Sequence, residues 1–113
     1  MKQYPLHYTF LGKTPLIQLE GELTSGSYLN LLKTYNGLRE DCAMDSVALD
    51  FSNITYINSS GIASLIDIIH DMHNHNGKVS FIALSEHLEN RMEYLGLLDF
   101  INVYPARTDF PEQ

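Results

Sequence analysis

The sequence predicts an α/β fold: a mixed sheet that opens with an N-terminal hairpin and continues as βαβ units, with helices packed against it. Three observations predict it. Two short β-type segments flank a Gly/Pro turn near the N-terminus, strand-like and helix-like segments alternate after residue 45, and Val47-Ala48-Leu49 with Phe51 forms the near-continuous apolar run of a central parallel strand. The 113 residues, 44% of them hydrophobic, suit one domain with one continuous core. No internal repeat or linker-like shift in composition interrupts them, so a single domain over 1–113 is expected.

Residues 6–11 and 15–20 read as the first two strands, joined through Gly12-Lys13-Thr14-Pro15. From Ser25 the apolar residues Tyr28, Leu31, Leu32, Tyr35 and Leu38 fall three or four apart, which predicts a helix. The strand at Val47 follows, and its apolar continuity predicts helices on both of its faces. A second helix is expected to begin after Asn58-Ser59, with Ser59 as its cap, and to end near the left-handed stop signal Asn76-Gly77. Its predicted buried stripe is Ile62, Leu65, Ile66, Ile69 and Met72. Residues 79–84 read as a strand, Ser85-Glu86 as a helix start, Leu88, Met92 and Leu95 as a short helix face stopped by Gly96, and residues 101–104 as a last strand.

Fourteen acidic against seven basic residues give a net charge of −7, and the bases are scattered along the chain. A phosphate backbone needs a concentrated positive field, so direct nucleic-acid binding is not expected. No apolar run approaches the ~20 residues that span a bilayer, and no N-terminal stretch has the pattern of a secretion signal. Membrane insertion is not expected, and the lone Cys42, without partner or metal-spaced neighbour, fits the reducing cytoplasm.

Candidate chemistry is sparse. His70, His73 and His75 cannot all turn toward one ion while helical, so no metal site is expected. The glycines form no phosphate-cradling pattern, which assigns no nucleotide or other cofactor to this chain. No Gly-x-Ser-x-Gly elbow frames a nucleophile, and of the acidic cluster a receiver domain requires only Asp50 is suitably placed, so an enzyme is not expected. What stands out is Asn58-Ser59-Ser60-Gly61. At about 100° per residue, Ser60 lies about 160° from Ile62, on the side of Ser64, Asp67 and Asp71, and its hydroxyl is expected to face solvent while Ser59 turns toward the buried stripe. A helix start also tolerates a dianion, because its free N–H groups and positive dipole end lie beside the added charge.

The run Asp50-Phe51-Ser52-Asn53-Ile54-Thr55-Tyr56-Ile57-Asn58-Ser59-Ser60-Gly61-Ile62 resembles the signature of the STAS domain family, in which a strand ending in Asp-Leu/Phe-Ser leads to Asp-Ser-Ser/Thr-Gly-Leu. Gly21-Glu22-Leu23, Asn76-Gly77-Lys78 and Tyr94-Leu95-Gly96-Leu97 resemble further family landmarks in the right order. The resemblance, to the anti-sigma factor antagonists in particular, implies a STAS-like mixed sheet and a non-enzymatic regulatory switch. It also implies phosphorylation of the second motif serine, here Ser60, by a partner kinase and anti-sigma factor with a GHKL-type ATP site, reversed by a PP2C-type phosphatase. Thr24, Asn58, Ser59, Ser60 and Gly61 are the partner-binding residues it points to. Asn58 and Thr24 each stand where the family usually has Asp, and the family's C-terminal helix is missing or shortened, with Pro105 and Pro111 in a short tail. The alternative expectation is a STAS scaffold, in a stressosome-like or transport-associated assembly, that never receives phosphate.

Overall fold

The computed structural model describes residues 4–111. Gly12, at φ 62°, takes the first place of a two-residue loop that closes β1 (Tyr8–Leu11) antiparallel onto β2 (Thr14–Leu23), with Leu11 opposite Thr14. Helix α1 (Ser25–Asp41) leads to β3 (Ser46–Ile57), α2 (Ser59–Asn74) to β4 (Lys78–Ile82), and α3 (Glu86–Tyr94) to the short β5 (Asn102–Tyr104). The sheet runs β1-β2-β3-β4-β5, with every pair after the hairpin parallel. The turns obey their predicted chemistry. Asn76 ends α2 at φ 59°, Gly96 follows α3 at φ 77°, and the Ser85 side chain caps α3 by accepting from Leu88 N at 3.2 Å.

Strand order equals chain order, so every crossover steps the same way across the sheet. Right-handed crossovers that all step one way place their helices on one face. Accordingly Leu31, Tyr35 and Leu38 of α1, Leu65, Ile68 and Met72 of α2, and Leu88 and Met92 of α3 share one core with Val47, Leu49 and Phe51. The expectation that helices cover both faces of β3 is therefore corrected. The second face carries Leu16, Ala48 and Ile82, and Phe110 of the C-terminal tail packs on them beside Tyr104. The tail, which has only a 3-10 turn at Arg107–Asp109, is held by Arg107, whose Nη2 donates to the buried Asp50 at 2.6 Å.

The stripe of α2 is also rotated from its predicted position. Ile68 is buried and Ile66 is 45% exposed, because the helix must face α1 as well as the sheet. Its Ser64 is fully buried, Tyr28 of α1 donates to Asp67, and Tyr35 and Arg39 both donate to Asp71 at 2.6 Å. Leu95, expected on the buried face of α3, is exposed.

Candidate functional site

Strands β2 and β3 end in register, Leu23 opposite Ile57, so α1 and α2 start side by side at one pole of the molecule. Thr24 caps α1: its hydroxyl accepts from Gly26 N at 3.3 Å, while Ser27 Oγ accepts from Thr24 N at 2.9 Å. Asn58 caps α2, its side-chain oxygen accepting from Gly61 N at 3.0 Å, and its own N–H reaches across to Leu23 O at 3.2 Å. Both caps are neutral, and neither helix has an acidic residue in its first turn. The positive ends of two helix dipoles thus meet here without a carboxylate in either first turn.

Thr24, Asn58, Ser59, Ser60 and Gly61 all lie at this corner, and three details differ from what the sequence leads one to expect. The cap of α2 is Asn58, one residue earlier than expected, which leaves Ser59 exposed and its hydroxyl free. Ser60 is half-buried, on the side of α2 where Tyr28 and Tyr35 of α1 reach Asp67 and Asp71, although Asp67 itself is exposed. Gly61 is buried, with the Leu23 carbonyl so close that a Cβ would run into it, and so belongs to the packing of the corner and not to its surface. Neither serine hydroxyl makes a hydrogen bond among the described residues, so both are chemically available. Ser64 Oγ, by contrast, is spent on Gly61 O at 2.6 Å.

Two carboxylates support the surroundings. Burial opposes the charge on Asp71, yet the Tyr35 hydroxyl and the Arg39 guanidinium outweigh it and hold the carboxyl below its usual range. Burial, then the bond to Asp71, pushes the Tyr35 phenol well above its ordinary value. Asp50 is likewise held low: burial acts against it, and Ser52 N–H together with Arg107 prevails. His73 Nε2 contacts Phe100 O at 3.0 Å and His75 Nδ1 contacts Asp71 O at 2.8 Å, so these rings are engaged with backbone in different directions. Among the described residues no group of three or more potential metal ligands converges, and no helix is long and apolar enough to cross a membrane.

Arg91 belongs to no motif in the sequence. Its Nη1 donates to Ile57 O at 2.5 Å, so α3 reaches the end of β3. The signal was its place three residues after Leu88 and next to Met92, beside the apolar row of α3, where a base must either be paired or lie against a polar edge.

The STAS domain model matches residues 8–109, and the chain belongs to this family. Comparison with curated proteins finds no match. Similar solved structures include an anti-sigma factor antagonist from Mycobacterium paratuberculosis, at 15% identity and TM-score 0.78, covering 92% of this chain and 87% of that one. The Bacillus cell fate determinant SpoIIAA in its phosphorylated form is similar at 15% identity and TM-score 0.69, covering 87% and 89%. A sulfate transporter family protein from Wolinella succinogenes is similar at 12% identity and TM-score 0.72, covering 83% and 78%. At these identities the likeness is one of fold.

Proposed function

We propose that this chain is a non-enzymatic, cytoplasmic protein-binding switch of the anti-sigma factor antagonist type, with Ser60 as its phosphate acceptor. The observation that carries the reading is the free, half-exposed Ser60 hydroxyl in the first turn of α2, at a corner where two helices begin without acidic caps. Phosphate there would add roughly −1.5 to −2 charges to a surface whose helix dipoles favour an anion, changing what the surface binds while leaving the fold in place. The family motif selects Ser60 over Ser59, and the anti-sigma antagonists among the structural neighbours support the class. In this reading Thr24, Asn58, Ser59 and Ser60 meet a partner kinase and anti-sigma factor with a GHKL-type ATP site. The unphosphorylated form binds it, transcription is the output, and a PP2C-type phosphatase restores the binding form.

The test is phosphate incorporation by such a kinase, followed by intact mass. Ser60→Ala is expected to abolish incorporation and to bind the partner constitutively, while Ser59→Ala is expected to keep accepting phosphate. Incorporation that survives Ser60→Ala and disappears in Ser59→Ala would overturn the assignment. A second reading, a scaffold that stays unmodified, rests on Thr24 and Asn58 standing where the family usually has Asp, which removes charge that a partner kinase would contact. Protein purified from its own cells would then carry no phosphate under any growth condition.

A further inference from the structure

The described residues include three arginines, and two are ion-paired: Arg39 with Asp71 and Arg107 with Asp50, each at 2.6 Å. Arg91 is half-buried and has no carboxylate partner among the described residues; its one bond is to Ile57 O. A guanidinium presents five N–H donors in a planar fork, so most of its capacity is unspent. It faces a cleft of about 160 Å³ between the end of β3 and the start of α3, lined by Ile54, Thr55, Tyr56, Ser85, His87 and Leu88. The cleft exists because β4 leaves the sheet early. The last β3–β4 pair is Asp50 with Ile82, while β3 continues to Ile57, so α3 and not a strand flanks the final residues of β3. Ser85 adds a hydroxyl that accepts from Leu88 N and keeps its own proton to donate, and Thr55 and His87 add further polar atoms.

A half-buried fork without a counter-ion, beside hydroxyl donors in a small cleft, matches a planar or tetrahedral oxyanion. We infer that the Arg91 cleft is a binding site for a small oxyanion, a carboxylate or phosphate group, whose binding does not require phosphate on Ser60. Arg91 is bonded to Ile57 O, three residues before Ser60, and comes to it from α3. Glu86 and Glu89 on the first turn of α3 oppose an incoming anion, so binding is weak and most visible at low ionic strength. The oxyanion is either free in solution or carried as an acidic side chain by a docked protein.

The experiment is an NMR titration of unphosphorylated protein with inorganic phosphate, and separately with the blocked peptide acetyl-Gly-Glu-Gly-amide, at constant ionic strength. Saturable shifts are expected at the Arg91 Nε–Hε and at the amides of residues 54–57 and 85–88. Arg91→Gln is expected to abolish them. Arg91→Lys, which keeps the charge and loses the fork, is expected to weaken binding about tenfold, as the loss of one charge-assisted hydrogen bond implies. Saturation by phosphate alone assigns a free anion, and saturation by the peptide with the same pattern and mutual competition assigns a protein-borne carboxylate. Absence of saturation with both probes, or equal binding by wild type and Arg91→Lys, overturns the site. A purely structural Arg91 would leave both titrations flat while its removal lowered stability.

Discussion

At the corner where β2 and β3 end, Gly61 lies so close to the Leu23 carbonyl that a Cβ would collide with backbone that cannot swing aside. Gly61→Ala is therefore expected to cost about 2 kcal/mol or more, in the range of overpacked cores. Urea unfolding measures it, and a change under half that size would mean that the corner is looser than its geometry. Three residues earlier, Asn58 spends its side-chain oxygen on Gly61 N, a bond that an aspartate would make equally well. The two differ in what they do to a neighbouring phosphate: at ~6 Å two unit charges repel by about 3 kcal/mol at an effective dielectric near 20, and by less where water screens them. In the switch reading, Asn58→Asp is expected to lower the melting temperature of Ser60-phosphorylated protein more than that of the unphosphorylated form. The comparison is made within each variant because aspartate at a helix start stabilises on its own account. Equal shifts in both forms would remove residue 58 from phosphate sensing.

The helix pair α1–α2 is joined by side chains that the apolar pattern did not place together. Tyr35 and Arg39 converge on one carboxylate of Asp71, and Tyr28 reaches Asp67. Asp71→Asn removes the charged acceptor from both donors, with an expected loss of about 1–2 kcal/mol once the partial exposure of Arg39 and Asp71 is discounted. The Asp71 carboxyl is held below its ordinary value of 3.8 in the folded state, so its stabilisation is complete above that value and is lost as pH falls through the lower folded value. The gap between wild type and Asp71→Asn should accordingly narrow below about pH 3.8. A gap independent of pH would assign the effect to packing. Most elements were legible in the sequence because each carries local punctuation: the Gly12 loop, the Ser85 cap, the Asn76 and Gly96 stops. The direction a polar helix face takes was not. Ser60, Ser64, Asp67 and Asp71 read as a solvent row, yet only Asp67 is exposed, Ser60 and Asp71 are half-buried and Ser64 is buried, since short hydroxyls and carboxylates satisfied by tyrosines pack between helices as readily as they face water.

For the molecule as a whole, winding in a single direction leaves a sheet with helices on one face, and the other face must be sealed by something else. The apolar run in β3 implied two covered faces correctly, but sequence could not say that one cover was seven residues of tail, 105–111, because Arg107 and Phe110 stand in a segment with neither helical nor strand periodicity. The seal combines an apolar plug and an ion pair, and pH separates them. Phe110→Ala should cost about 2–3 kcal/mol at any pH, slightly below the usual value for a core Phe because the residue is 9% exposed in a segment outside the sheet and helices. Arg107→Ala leaves Asp50, 4% exposed, with Ser52, through its N–H and its side chain, as its remaining hydrogen-bond partner, and should cost about 2 kcal/mol at pH 7. The folded-state pKa of Asp50 is depressed, so the stability that the pair supplies is present above its ordinary 3.8 and disappears as pH falls through the folded value. Without Arg107 that pKa rises, and the variant begins to protonate at a higher pH than wild type. Chemical unfolding from pH 7 to pH 3 should then show the Arg107→Ala gap closing on acidification while the Phe110→Ala gap holds. If both gaps close together, the tail lifts as a unit in acid and the ion pair is not what holds it. If neither closes, Arg107 seals the face through its aliphatic stem, and the charge on Asp50 is borne by Ser52.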